Sequence, residues 1–272
     1  NLMNAHRVLA MSTPYPRDKL GDNRIIPKEV LAELCENNNI MPWTGFGTLY
    51  GTKSVIKAVK QEIKAILNPV ATQLIFVNAN RVAAFAKILR IFPGLIRRKY
   101  ERKLAMLEQS MQLVSGFPNQ TALPLCYWLS GGPGVAQTDF LDPARDQCGL
   151  IWYSPLIPMK PDSILQYIDM VTSITERHGL EPLITLTSVT NACFDSTVPL
   201  LFDLASDQSS KRAEACYWEL LETGKKLGFI PYRFGIHAMS WLSEDETPYW
   251  QVVRKIKQAL DPNQIISPGR YV

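Results

Sequence analysis

The feature that most constrains this chain is the order in which its hydrophobic pattern changes period between Leu150 and Phe234. Leu150 to Ser154 reads as a strand closed by Pro155. Ile164 to His178 follows with helical spacing, Asp162 as a candidate N-cap and Gly179 as the stop. Leu183 to Thr190 and Val198 to Phe202 read as strands. Ser210 to Leu227 is a second helix carrying Ala213, Cys216, Tyr217, Leu220 and Leu221, and Phe229 to Phe234 is a closing strand. Strand, helix, strand, strand, helix, strand is the order of a ferredoxin-like split βαβ unit. Such a unit folds into an antiparallel sheet with its helices on one face.

An earlier block repeats this rhythm in weaker form. Trp43 to Tyr50 is a Gly-punctuated aromatic strand, and Thr72 to Val77 is another. Between them Val55, Ile56, Val59, Ile63, Ile66 and Leu67 mark one face of a helix that Asn68-Pro69 ends. Pro27 to Glu36 adds a short amphipathic helix. The expected fold is therefore α+β. One antiparallel sheet is built from two ferredoxin-like halves, about 40–115 and 148–235, with helices on one face. A helical segment at 236–272, with its last helix at Tyr249 to Leu260, closes the chain.

The middle of the chain is basic and helical, from Val82 to Leu89 and from Ile96 to Val114. Lys87, Arg90, Arg97, Arg98, Lys99, Arg102 and Lys103 cluster there. A basic amphipathic segment can lie on an anionic membrane or hold an acidic partner, but Glu101 and Glu108 break this one and favour a solvated helix face. Residues 116–147 turn to Pro, Gly and polar residues and read as loop.

Several function classes are excluded by what surrounds these elements. With 46% hydrophobic residues in 272, the chain can bury a sizeable core. Its apolar runs are too short for a membrane span, since even Ile88 to Ile96 contains Arg90, Pro93 and Gly94. A net charge of +4 makes too weak a field to indicate nucleic acid. Five scattered cysteines without a CxxC pair suggest free thiols in a reducing compartment, and Asn1 to Arg7 carries no signal-peptide apolar run, so a cytoplasmic location is expected. His6, His178 and His237 lie far apart, outside any metal-binding spacing, so no metal site is expected. Gly131-Gly132-Pro133-Gly134 neither follows a strand nor opens a helix, as a phosphate-cradling turn must.

Two places carry possible chemistry. Tyr232-Arg233 sets a phenol beside a guanidinium on the closing strand, where the pair could bind an anionic oxygen or serve only as edge-strand structure. Strand alternation would send the two side chains to opposite faces, so joint action demands a strand end or a bulge there. Asp261 to Arg270 is a Pro/Gly-shaped turn that points Arg270 outward.

At these residues the sequence resembles the FAD-linked oxidases of the vanillyl-alcohol oxidase and p-cresol methylhydroxylase family. Asp261 to Arg270 is similar to the family's "DPN-x-I-x-x-PGR" ending, Leu49 to Thr52 to its "LYGT", and Gly116 to Asn119 to its "G-x-PN". Trp152 to Pro155 is similar to its aromatic-aromatic-[SA]-P strand. Lys211 to Cys216 resembles the "KRADAC" helix of the p-cresol branch, and Tyr232-Arg233 its "YR".

The resemblance covers the family's C-terminal cap, or substrate, domain; the N-terminal FAD-binding domain has no counterpart in this sequence. It implies a 4-alkylphenol substrate that passes hydride to flavin. Tyr232 and Arg233 would be catalytic residues holding the phenolate oxygen. Arg270, Trp152 and Tyr153 would lie near the cofactor, together with the pair on one concave surface. It also implies an FAD-binding domain in cis or in trans, either oxygen or a cytochrome as electron acceptor, and a possible homodimer.

The departures matter as much. The family's flavin-linking histidine aligns with Leu150 and its linking tyrosine with Cys126, so any FAD would be held without a covalent bond. Its paired histidines align with Asp195 and Ser196, and its active-site glutamate with Leu186. A different expectation follows from these losses: a non-catalytic or repurposed cap that binds a small aromatic ligand or a protein partner.

Overall fold

In the computed structural model, the described residues are all but 79, 81, 83, 85–86, 89–103, 106, 133–139 and 244–246. One antiparallel sheet organises them. Strand β1 (Leu2–Asn4) lies between β2 (Trp43–Gly45) and β5 (Thr185–Ser188); β5 pairs with β6 (Cys193–Asp203). β6 then pairs along its length with β3 (Cys148–Tyr153) and with β4 (Leu156–Pro158). Pro155 separates β3 from β4 because proline cannot donate to a ladder. On the outer side of that break the chain returns at Pro231, which bridges Pro155. The C-terminal half thus has the expected ferredoxin-like order, with its closing strand reduced to one bridge.

Two helices cover one face of the sheet. α4 (Pro161–Arg177) and α5 (Asp207–Leu227) pack Val171, Ile174, Ala213 and Leu220 against Val198 and Leu200 of β6. Burying each large aliphatic side chain contributes about 1.5–3 kcal/mol, so this layer is the chief source of stability. α5 is bounded as the sequence suggests: Ser206 caps its N-terminus by accepting from the Ser209 N–H, and Gly228 ends it at a φ of 83°. The residues similar to "KRADAC", Lys211 to Cys216, therefore lie inside α5, in its second and third turns.

The opposite face is not left bare, as helices confined to one side would leave it. α1 (Ala5–Ser12) follows β1 without a loop and joins a 3-10 turn at Leu123–Tyr127 in covering one end of that face, where Leu9, Leu125 and Trp128 pack on Leu201. Asn4 fixes this arrangement. Its Oδ1 accepts from the N–H groups of Arg7 and Ile184, and its Nδ2 donates to the Pro182 carbonyl.

α2 (Lys28–Asn38) and α3 (Lys53–Leu67) form where their periodicity places them. Thr72 to Val77 does not form a strand: Ile75 and Val77 are exposed and the run has no sheet neighbour. The aromatic strand shortens to Trp43–Gly45, which is what β1 is long enough to pair. Residues 107–114 are helical; most of the basic cluster, at 90–103, and the helix expected at 82–89 lie wholly or partly outside the described residues. The C-terminal segment holds a short helix α6 (Met239–Ser243) and α7 (Pro248–Leu260).

Candidate functional site

The site begins at the break between β3 and β4. Because Pro155 interrupts the hairpin with β6, the Ser154 carbonyl turns away from the ladder and accepts from the Tyr232 N–H at 3.3 Å, while the Leu156 N–H donates to Ile230 O. Past that single bridge, residues 232–235 have no strand geometry. The alternation that would separate Tyr232 from Arg233 is lost there. The Arg233 guanidinium lies over the Tyr232 ring, 5.1 Å from its centroid. Tyr232 and Arg233 thus face the same way, on the irregular backbone that joint action requires.

A third group joins them from β6. The Tyr232 hydroxyl donates to Asp195 Oδ2 at 3.3 Å. Burial pushes the Asp195 carboxyl above its ordinary range, while the Tyr232 hydrogen bond and the Arg233 charge draw it back. Burial, followed by the Asp195 charge, pushes the Tyr232 phenol up, so it keeps its proton well past neutrality.

Cross-strand register shows what shares this face. Asp195 pairs with Thr187 and Leu156, Thr197 with Thr185, and Pro199 with Trp152. Directly paired residues point the same way, so Trp152 and Asp195 look out from one face, the one opposite α4 and α5. Trp152 is 41% exposed. Tyr153 belongs to the other face, which corrects the expectation that both aromatics line one surface. It is fully buried in the helix-side core, with its hydroxyl in the space that a Cβ on Gly224 would need. A two-residue period places adjacent strand residues on opposite sides, and β3 keeps that period through Tyr153.

Arg270 is placed by the motif around it. The Asp261 carboxylate accepts from Lys257 Nζ and from the N–H groups of Ile265 and Ile266, and the Lys257 bond, more than any other contact, holds its pKa low. That carboxylate shapes the turn after α7. The tail returns to the fold through Tyr271, which stacks on Trp250 and whose hydroxyl accepts from the Phe234 N–H. Arg270 itself is exposed and makes no contact that joins it to Tyr232 and Arg233 among the described residues.

The two linking positions are apolar or inert. Leu150 packs between two small clusters, and Cys126 is buried beside Tyr127 and Cys148 with its thiol pushed up by burial. Leu186 is buried, and the Ser196 hydroxyl faces the helix layer, accepting from Tyr167 at 2.7 Å.

Sequence reasoning misses two buried polar features. At Asp195 it sees a histidine lost and not an acid gained. Glu181, flanked by Leu180 and Pro182, is an acid in an apolar turn, which is the signal that could have found it. It accepts from the Tyr15 hydroxyl and the Ile26 N–H, and burial pushes it up to about 7. His6 lies 3.6 Å from its other oxygen and is pushed down to about 4 by burial, so between about pH 4 and about pH 7 these two groups face each other uncharged rather than as an ion pair.

A shallow groove of about 320 Å³ between α4 and α5 lies on the far side of the sheet, away from this site. Among the described residues, no cluster of three or more His, Cys, Asp or Glu could hold a metal. No described helix is long and apolar enough to cross a membrane.

Residues 190–271 match the family model described as FAD linked oxidases, C-terminal domain. Over 273 residues the chain is 31% identical to the 1'-carboxy-chondrochloren decarboxylase of Chondromyces crocatus, covering 100% of this chain and 49% of that protein. It is 28% identical over 163 residues to the 4-cresol dehydrogenase [hydroxylating] flavoprotein subunit of Pseudomonas putida, covering 58% of this chain and 27% of that one. The fold matches p-cresol methylhydroxylase with substrate bound, with a TM-score of 0.75 and 19% identity over 99% of this chain and 45% of that chain. It also matches the 4-ethylphenol oxidase of Gulosibacter chungangensis in its isoeugenol complex, with a TM-score of 0.76 and 19% identity over 99% and 46%. This chain spans about half the length of the first of these relatives and about a quarter of the second. Residues 190–271 thus carry the match to the FAD linked oxidases, C-terminal domain, and the chain is similar in sequence to the 4-cresol dehydrogenase flavoprotein subunit and in fold to p-cresol methylhydroxylase.

Proposed function

We propose that this chain is the substrate-binding half of an FAD-dependent oxidoreductase acting on 4-alkylphenol-type substrates. The observation that carries the reading is the Tyr232–Arg233 pair, brought to one side by the broken strand and set on the same face as the exposed Trp152. Tyr232 and Arg233 hold the phenolic oxygen, and Trp152 offers an aromatic wall. FAD, when bound, accepts the hydride from the benzylic carbon.

The open face offers a planar ring a flat apolar partner in the exposed Trp152. With Leu150 and Cys126 at the linking positions, the cofactor is held without a covalent bond, and an FAD-binding domain supplies the pyrophosphate site. The relative matched along the whole chain is named a decarboxylase. That name favours a second reading, in which the substrate carries a carboxylate that leaves during the reaction. A cap that binds aromatics without redox work is the remaining alternative.

Binding of a 4-alkylphenol, followed by calorimetry, tests the site. Arg233→Ala should weaken it by roughly 1.5–3 kcal/mol, the range for a charged hydrogen bond. Equal affinities in wild type and variant would show the pair to be structural.

A further inference from the structure

The Tyr232–Arg233 pair is not a free anion hole, because Asp195 stands behind it. A tyrosine hydroxyl has one proton to donate and lone pairs to accept with. Tyr232 gives its proton to Asp195 Oδ2. Toward the open face it then presents lone pairs only. Arg233 lies over the ring of the same tyrosine, so a guanidinium and a carboxylate both stand against Tyr232. The other Asp195 oxygen, Oδ1, is a buried acceptor without a partner among the described residues.

These groups favour one ionisation state of a ligand. A phenolate on Tyr232 would set an acceptor against an acceptor, with a carboxylate just beyond. A neutral phenol can donate its O–H to Tyr232 while accepting from Arg233. The surroundings of Asp195 do not change this balance. Tyr232 and Arg233 face it from the 230–234 segment, Thr187 stands opposite on β5 and Leu156 on β4, and Tyr167 on the α4 side feels its charge as a minor contribution.

Resting on the aromatic-site reading above, we infer that Asp195 is a specificity-determining residue: by taking the Tyr232 proton it makes Tyr232 an acceptor, so that the site takes a neutral, hydroxyl-bearing aromatic in preference to a phenolate. Substrates whose phenol is already ionised in solution are discriminated against.

The test uses 4-nitrophenol, whose hydroxyl titrates near neutrality and whose two forms absorb at different wavelengths, so the spectrum shows which form is bound. Wild type should raise the apparent pKa of the bound phenol, with about a tenfold preference for the neutral form. Asp195→Asn should remove that preference or reverse it by a similar factor. Should Asp195→Asn lose its near-ultraviolet circular dichroism, Tyr232→Phe serves instead: removing the acceptor should weaken the neutral form by about fivefold and relieve the repulsion of the phenolate, so that the preference for the neutral form falls. A wild type that holds the phenolate, or both forms equally, overturns this inference alone. Failure to bind either 4-nitrophenol or the non-ionisable 4-nitroanisole overturns the aromatic-site reading with it.

Discussion

Replacing Glu181 with glutamine should make the protein more stable, and only at high pH. Glu181 lies under the N-terminal segment, 7% exposed, and its Oε1 accepts from Tyr15 and from the Ile26 N–H. Burial raises its pKa from 4.5 to about 7, and the neighbouring Glu176 adds to the rise. The folded state therefore binds this proton more tightly than the unfolded chain does. The favourable contribution is complete below the unfolded value and is lost as pH rises through the folded one. Above about pH 7 the fold must hold a buried carboxylate. The rise from 4.5 to about 7 corresponds to roughly 3–3.5 kcal/mol at about 1.4 kcal/mol per tenfold.

Glutamine keeps the acceptor for Tyr15 and Ile26 and carries no charge. Glu181→Gln should match wild type near pH 4.5 and gain roughly 3–3.5 kcal/mol by about pH 8, or roughly 6–12 °C in Tm for a chain of this size. His6, pushed down to about 4, opposes the trend in both proteins by destabilising the fold as pH falls below 6.5, so it largely cancels in the difference. Urea denaturation across the range from about pH 5 to about pH 9 measures the difference. A stability difference that stays flat with pH, or that favours wild type at high pH, would refute the argument.

Three further outcomes follow from geometry. Gly224→Ala should destabilise by about 2–4 kcal/mol despite alanine's better helix propensity, because the new Cβ would collide with the Tyr153 hydroxyl and meet Phe229 O at 2.9 Å. In a Tyr153→Phe background part of that loss, about 1 kcal/mol, should return, and a double-mutant cycle by thermal melting reads it. Asn4→Ala removes three hydrogen bonds that tie α1 to the 182–184 turn and should lower stability by about 2–3 kcal/mol in denaturant titration. Finally, FAD supplied to the chain should be released by acid, with no fluorescent band on a denaturing gel; flavin that stays on the polypeptide would contradict the reading of Leu150 and Cys126.

Local signals make the helices legible. Thr52 and Ser206 cap α3 and α5, Gly228 stops α5, and apolar residues recur at helical spacing between them. Strands are legible only where neighbours supply the missing half of the information. Val198 to Phe202 has the β-branched and aromatic character of a strand, yet it is the end of the longer β6, whose first half, with Asp195, Ser196 and Thr197, is polar enough to read as loop. β1 is three residues long, too short for a period to show, and exists because β2 and β5 flank it. Thr72 to Val77 has strand composition without a partner and stays unpaired, since β propensity is realised only through packing and pairing. At the site, Tyr232 and Arg233 are legible as residue types, and their need for a broken strand follows from alternation. Asp195 is not, because its role depends on a hydrogen bond across 37 positions of sequence.

The break at Pro155 sets stability against function in a way that would steer directed evolution. A residue with an N–H at this position could extend the β3–β4 ladder, and a screen for heat resistance would tend to reward it. The same change would draw the Ser154 carbonyl back into the ladder and loosen the mooring of Tyr232. Libraries selected on thermal survival alone should therefore drift toward well-folded proteins whose Tyr232–Arg233 corner has come undone, while selections that also require ligand retention should keep the proline.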